Sequence, residues 1–164
     1  MPHINTEPNG IDYTAVCYIV NDRRVLLAHH IALGFWVPIG GHIEPSEDPE
    51  TALWREINEE CGLQVEIQAE RPGFHQAGTV GLPRPRFVDI HAIASEYAPG
   101  HRHMAFVYFG RTAERNEVLA EREHFELRWF DPRELKYSEA FGFRIPHNVC
   151  WYGRRAIQEV AQWE

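Results

Sequence analysis

The stretch Gly41–Leu63 reads GHIEPSEDPETALWREINEECGL, and its second half carries two patterns at once. At about 100° per residue, Glu56, Glu59 and Glu60 fall in one helical sector with Ala52, while Leu53, Trp54, Ile57 and Cys61 fall in another. The segment is predicted to form a helix with a core face beside an acid face. Its ends agree: Asp48 is a suitable N-cap, Pro49 is tolerated at the first helical position, and Gly62 can close the helix in the left-handed conformation. Like charges three and four positions apart oppose an isolated helix by about 0.2–0.5 kcal/mol per pair, so the acid face calls for compensation. A hard divalent cation supplies it, since Mg²⁺ takes a few carboxylates and keeps its other positions for water and phosphate. The competing reading is a solvated acidic face with Arg55 paired to Glu59 at i, i+4.

Working outward, Tyr13–Val20 and Val25–His29 read as strands joined by a turn at Asn21–Arg24, and a hairpin is expected. Phe35–Ile39 is a short apolar strand expected to stop at Gly40-Gly41, with a polar loop from His42 to Asp48. Beyond the helix, strands are expected at Val65–Gln68, Phe87–Ser95, Met104–Arg111 and Leu127–Phe130, with a loop rich in Gly and Pro from Pro72 to Pro85. Asp131-Pro132 opens a helical turn. The spacing of Val149, Tyr152, Ala156, Ile157 and Val160 predicts a helix over Asn148–Trp163 with one face on the sheet. Strands mixed with two helices in this order imply a three-layer α/β/α sandwich.

Residues 1–164 contain no repeat or dividing linker, and their length suits one domain. Hydrophobic residues make up 44% and charged residues 24%, near the averages for folded domains. The net charge of -8 argues against a general nucleic-acid binder, which carries a basic surface. No apolar run approaches the roughly 18 residues needed to span a bilayer, and the polar start lacks a signal-peptide core, so a cytoplasmic protein without membrane attachment is expected. Cys17, Cys61 and Cys150 are scattered among apolar residues, as buried reduced thiols are.

Gly41, Glu47, Arg55, Glu56, Ile57, Glu59, Glu60, Gly62 and Leu63 occupy every fixed position of a known signature: Gly, five residues, Glu, seven residues, Arg-Glu-apolar-any-Glu-Glu-any-Gly-apolar. In this the chain resembles the Nudix (MutT-like) hydrolases, and the order of its strands and the C-terminal helix also look like that family's α/β/α sandwich, with a mixed central sheet. The resemblance implies a pyrophosphohydrolase that cleaves a diphosphate bond in a nucleoside di- or triphosphate, or in a nucleoside diphosphate linked to another group, with Mg²⁺ or Mn²⁺ as cofactor. Carried over by position, Glu56, Glu59 and Glu60 match the metal-binding carboxylates, Arg55 matches the arginine that orients them, and Gly41 and Glu47 match the loop before the helix. For the general base the family uses either a glutamate of this motif or a later carboxylate. Glu123 is the favoured later candidate, beside Glu121 and Glu126. Two other functions are kept open: a catalytically silent nucleotide-sensing module, and an isomerase of allylic diphosphates, which would need a proton donor and acceptor. Neither Cys17 nor Cys150 has the sequence context for that role.

Substrate choice is expected outside the motif. Arg84 and Arg86 are candidates for bidentate phosphate contacts, with solubilising loop cations as the alternative. Alternation puts His101 and His103 on one face, and His103 is taken as a substrate contact. A His-x-His pair can ligate zinc, but no Cys or third His stands at a convincing spacing, so a zinc site is not favoured. His29 and His30 are expected to pack or touch substrate. Phe35, Trp36, Phe74 and Phe87 are candidate stacking surfaces for a base, with core packing as their alternative. About fifteen to eighteen residues past Gly62 lie Ala77–Val80, without the proline or tyrosine that marks some family subtypes. The motif is preceded by Pro38-Ile39-Gly40-Gly41 where Pro-Gly-Gly is usual. The expected partner is a small nucleotide-type molecule and not an extended nucleic acid, and the sequence leaves a homodimer open.

Overall fold

The computed structural model describes residues 4, 5, 7, 9–73, 76–93, 100–119 and 124–163. Its order is β1 (Ile11–Asn21), β2 (Arg24–His30), β3 (Phe35–Val37), β4 (Ile39–His42), α1 (Pro49–Glu60), β5 (Phe87–Ala92), β6 (Arg102–Arg111), β7 (His124–Phe130), α2 (Pro132–Lys136) and α3 (His147–Val160), with a 3₁₀ turn at Ser138–Phe141 between the last two helices. Among the described residues the strands form one mixed seven-stranded sheet. β1 runs parallel to β6 from Ile11↔Arg102 to Val20↔Arg111, and β6 is antiparallel to β5. On its other edge β1 takes two neighbours in succession: β4 from Thr14↔His42 to Cys17↔Ile39, then the start of β2 at Val20↔Val25. β2 in turn pairs antiparallel with β3 and β7.

The expected β1–β2 hairpin forms only at its tip, where Asp22 and Arg23 both have positive φ, as a tight hairpin turn requires. The strands then part to admit β4. The strand expected over Phe35–Ile39 breaks at Pro38, which has no N–H to give a ladder, and the chain changes neighbours there, from β2 to β1. Gly40-Gly41 does not stop the strand but lies inside β4, opposite Val16 and Ala15. Gly40 has φ +137°, and a Cβ on it would meet the Ala15 carbonyl oxygen at 2.2 Å, so only glycine fits this approach. The strand expected at Val65–Gln68 reduces to a single bridge, Glu66↔Arg111. β5 ends at Ala92, short of the expected Ser95, which lies outside the described residues.

Strand alternation divides the core. Ala15, Cys17, Ile19, Leu26, Ala28 and Ile39 pack under Ala52, Leu53 and Ile57 of α1. Tyr18, Val20, Val25, Leu27, Val107 and Phe109 pack under Leu135 of α2 and Val149, Tyr152, Ala156 and Ile157 of α3. These are the three layers of an α/β/α sandwich. Burial of Leu53 and Ile57 stabilises the α1 side by about 1.5–3 kcal/mol each. No described helix is long and apolar enough to cross a membrane.

Candidate active site

The β4–α1 connection fixes the orientation of α1. Asp48 caps the helix by accepting hydrogen bonds from the backbone N–H groups of Glu50 (2.8 Å) and Thr51 (3.0 Å), and Pro49 takes the first helical position. At the other end Gly62 has φ +65° and donates its N–H to the Ile57 carbonyl at 2.9 Å. The connection is closed by Arg55. Its guanidinium donates from Nε to Glu47 Oε1 (2.7 Å), from Nη2 to Glu47 Oε2 (2.9 Å) and to the His42 carbonyl (3.0 Å), and from Nη1 to Glu56 Oε1 (2.7 Å). A planar fork with several fixed donors makes such a clamp where an ammonium would not. The Arg55 guanidinium holds the Glu47 carboxyl below its ordinary range.

The acid sector of α1 divides on folding. Glu56 and Glu60 are buried against β4, at 2% and 5% exposure. The Glu59 side chain is 58% exposed and meets the edge of Arg55 at 3.4 Å. Trp54, expected on the core face, is exposed and turns back to Glu50. Burial pushes the Glu56 carboxyl up to about 7, and the neighbouring charges of Glu60 and Glu59 add to this against the pull of Arg55. Glu60 accepts from the Gly40 N–H at 2.8 Å on one oxygen and faces His124 Nε2 at 2.6 Å on the other. Glu56 and Glu60, both withdrawn from water, and Glu59 at the rim offer hard oxygen donors of the kind that suit Mg²⁺ or Mn²⁺.

His124 escaped the sequence reading. It is buried, and it lies on β7 opposite His30, whose ring it contacts edge to face. Strict alternation back from Trp129 and Leu127, which pack toward α1, would aim position 124 at the other face. A register shift between His29 and His30 changes the phase and turns His124 to Glu60. The available signal was proximity to Glu123. Glu121 and Glu123 themselves lie outside the described residues, and Glu126 is exposed on β7.

The other candidates are dispersed. Arg86 donates to Glu159 from Nε (2.5 Å) and Nη2 (3.0 Å) and lies over the Phe87 ring. Arg84 is 74% exposed and faces Glu70 at 3.5 Å. Both line a cavity of about 240 Å³ with Tyr108 and Trp163, and no α1 carboxylate lines it. Trp36 packs against Phe130, Phe143 and His29, and Phe87 against Phe109, Trp151 and Tyr152. Phe35 is half-buried at the end of the sheet, and Phe74 lies outside the described residues.

His103 belongs to a separate group on the α3 side of the sheet. Asp12 of β1 is its direct strand partner, and His42, the last residue of β4, pairs with Thr14 on the same face. His42 Nε2 lies 3.2 Å from His103 Nε2 and 3.4 Å from Asp12 Oδ2, and His101 Nε2 lies 3.3 Å from the same oxygen. Asp12 also accepts from the N–H groups of Ile4 (2.9 Å) and Asn5 (2.7 Å). Burial, reinforced by His42, His91 and His101, lowers His103 to about 3, so its imidazole is neutral.

Comparison with known proteins agrees with this geometry. The profile of the NUDIX domain matches residues 11–149. An RNA pyrophosphohydrolase of Pseudomonas putida is 42% identical over 72 residues, 42% of this chain and 45% of that protein, so the chain spans about half the length of such relatives. A CTP pyrophosphohydrolase of Escherichia coli is 33% identical over 98 residues, 55% of this chain and 69% of its own length. Among solved structures, a hydrolase of the NUDIX family from Clostridium perfringens superposes with a TM-score of 0.73 at 26% identity, covering 91% of this chain and 97% of that one.

Proposed function

The chain belongs to the NUDIX domain family, and from that premise we propose that it is a hydrolase, dependent on Mg²⁺ or Mn²⁺, that cleaves a diphosphate bond in a small nucleotide-type substrate in the cytoplasm. The observation that carries this reading is the pair of buried carboxylates, Glu56 and Glu60, anchored to the β4 end by Arg55, Gly40 and His124. Glu56 and Glu60, with Glu59 at the rim, are the proposed metal ligands. A bound divalent cation supplies Lewis acidity toward phosphoryl oxygens. Arg55 orients Glu56 and braces Glu47 and the His42 carbonyl, so the ligands are set before substrate arrives. The Gly40 N–H and His124 fix the rotamer of Glu60. Glu123, next to His124 in sequence, is retained as the proposed acceptor of the proton from the attacking water. No Ser or Cys nucleophile is needed for such a displacement. Cys17 is fully buried, out of reach of a substrate, and neither the sensing nor the isomerase alternative draws support from the site.

The test is a substrate panel with Mg²⁺ and Mn²⁺: nucleoside triphosphates including CTP, oxidised purine nucleotides, nucleotide sugars, ADP-ribose, dinucleoside polyphosphates and 5′-triphosphorylated RNA. At least one is expected to be cut, with turnover abolished by chelator. Glu60→Gln should fold yet lose more than about a hundredfold in turnover, beyond the roughly 10–100-fold typical of an outer partner. It should also lose most of the metal-induced rise in Tm. A panel left uncut with either metal, or a folded Glu60→Gln protein with parental turnover and parental Tm shift, overturns the assignment.

A further inference from the structure

We propose that Asp12, His42, His101 and His103 form a second metal site, a closed four-coordinate zinc site on the sheet face opposite the α1 carboxylates. The sequence scatters its members over about ninety residues, and the sheet gathers them. Parallel pairing sets Asp12 beside His103, the end of β4 brings in His42, and His101 enters from the segment leading into β6. Asp12, His101 and His103 each offer one ligand atom within 4.8 Å of the others. His42 Nε2 stands outside that mutually close set but approaches two of its members, 3.2 Å from His103 Nε2 and 3.4 Å from Asp12 Oδ2, and would swing in as the fourth ligand.

Three of the six separations match those of ligands around a shared ion. Zn–N and Zn–O bonds of about 2.0–2.1 Å in a tetrahedron place neighbouring ligand atoms about 3.3 Å apart. The three close separations are 3.2, 3.3 and 3.4 Å. Neutral N–H···O bonds peak near 2.9–3.0 Å, and charge-assisted ones are shorter still. The chemistry points the same way. Three imidazole nitrogens and one carboxylate suit zinc, whereas Mg²⁺ takes oxygen donors. Asp12, His42 and His101 are buried, as a structural site without an open position would be.

Further layers of side chains surround the group. The backbone N–H groups of Ile4 and Asn5 hold the Asp12 carboxylate. His91 stands beside His103 and is held by Asp89, which also accepts from the Tyr152 hydroxyl of α3 at 2.7 Å. Such outer partners fix ligand orientation. A zinc ion here would tie β1, β4 and β6 together at the end where the His42 carbonyl receives Arg55. Its role is therefore structural, and it is independent of the hydrolase reading.

The experiment uses the intact protein loaded with Zn²⁺ in excess Mg²⁺, then freed of unbound metal by gel filtration. Elemental analysis should find about one zinc per chain, and replacement by Co²⁺ should give the strong visible bands of four-coordinate cobalt. Zinc should also raise Tm. His101→Gln and His103→Gln should lose the bound zinc and the cobalt bands, whereas Glu60→Gln should keep both, which separates this site from α1. Less than about a tenth of a zinc per chain in the intact protein, or only weak six-coordinate cobalt bands, overturns the proposal. So does zinc retained by His101→Gln or lost from a folded Glu60→Gln. If the histidine variants do not fold, the cobalt spectrum of the intact protein decides.

Discussion

The two faces of the sheet near the end of β4 carry polar groups assembled in opposite ways. On the α1 face, Arg55, Glu56, Glu59 and Glu60 come from six consecutive residues, and helical spacing alone brings them together. On the α3 face, Asp12, His42, His101 and His103 come from β1, β4, β6 and the segment leading into β6, and only the pairing of strands brings them together. His42 belongs to both regions, by its side chain to the histidines and by its carbonyl to Arg55. Chemistry written on one helix can thus be read before folding is known, while chemistry written across strands needs the register.

The most damaging way to break this comparison is to disturb the strand that serves both faces. Gly40→Ala puts a Cβ 2.2 Å from the Ala15 carbonyl at φ +137°, and the atoms it meets are all backbone of β1, with no flexible side-chain end to give way. The expected cost is more than about 4 kcal/mol, within the range of severe core and backbone lesions, with loss of both activity and zinc retention. Chemical denaturation and elemental analysis on the same preparation check it. A variant with parental denaturation midpoint would mean that β4 does not lie against β1 as described.

A narrower change should separate the faces. His124 touches Glu60 at 2.6 Å on the α1 face of the sheet, opposite the histidine group, so His124→Asn should act on α1 alone. It should lower Mg²⁺ or Mn²⁺ affinity, or turnover at fixed metal, by about 10–100-fold, as loss of an outer partner does. Zinc stoichiometry should not change. Activation curves against metal concentration provide the readout, and parental activation constants together with parental turnover would remove His124 from the site.

What was legible follows the same division. The helix boundaries, its caps and the carboxylate sector were readable because Asp48, Pro49 and Gly62 act locally and because 3.6 residues per turn is a fixed period. The burial that distinguishes Glu56 and Glu60 from Glu59 was not, since it depends on which edge of the sector meets β4. His124 was hidden by a register shift, and His42 by a sequence distance of 61 residues from His103. The break at Pro38 could be read locally, because a missing N–H belongs to the residue itself. The passage of Gly40-Gly41 through a strand could not, because close approach of Ala15 creates the need for glycine there.

The smallest expected effect concerns Arg86, which belongs to neither group. Burial alone would raise the Glu159 carboxyl, but the guanidiniums of Arg86 and Arg155 outweigh it and hold the group below its ordinary value of 4.5. A carboxyl lowered by folding contributes stability above its unfolded pKa and loses that contribution as pH falls through the folded pKa. The Arg86 side chain is 49% exposed, so solvent screening limits the pair to under about 1 kcal/mol. Arg86→Ala should therefore lower stability by that small amount at pH 7, and the difference should shrink as pH falls below the ordinary carboxyl value of 4.5. Because two hydrogen bonds commit the guanidinium to Glu159, KM should stay within about twofold of the parent. Urea denaturation at pH 7 and at low pH, with kinetics on the best substrate of the panel, tests both statements. A large rise in KM at unchanged stability would instead show that substrate draws Arg86 away from Glu159 and would extend the binding surface to the cavity lined by Arg84, Tyr108 and Trp163.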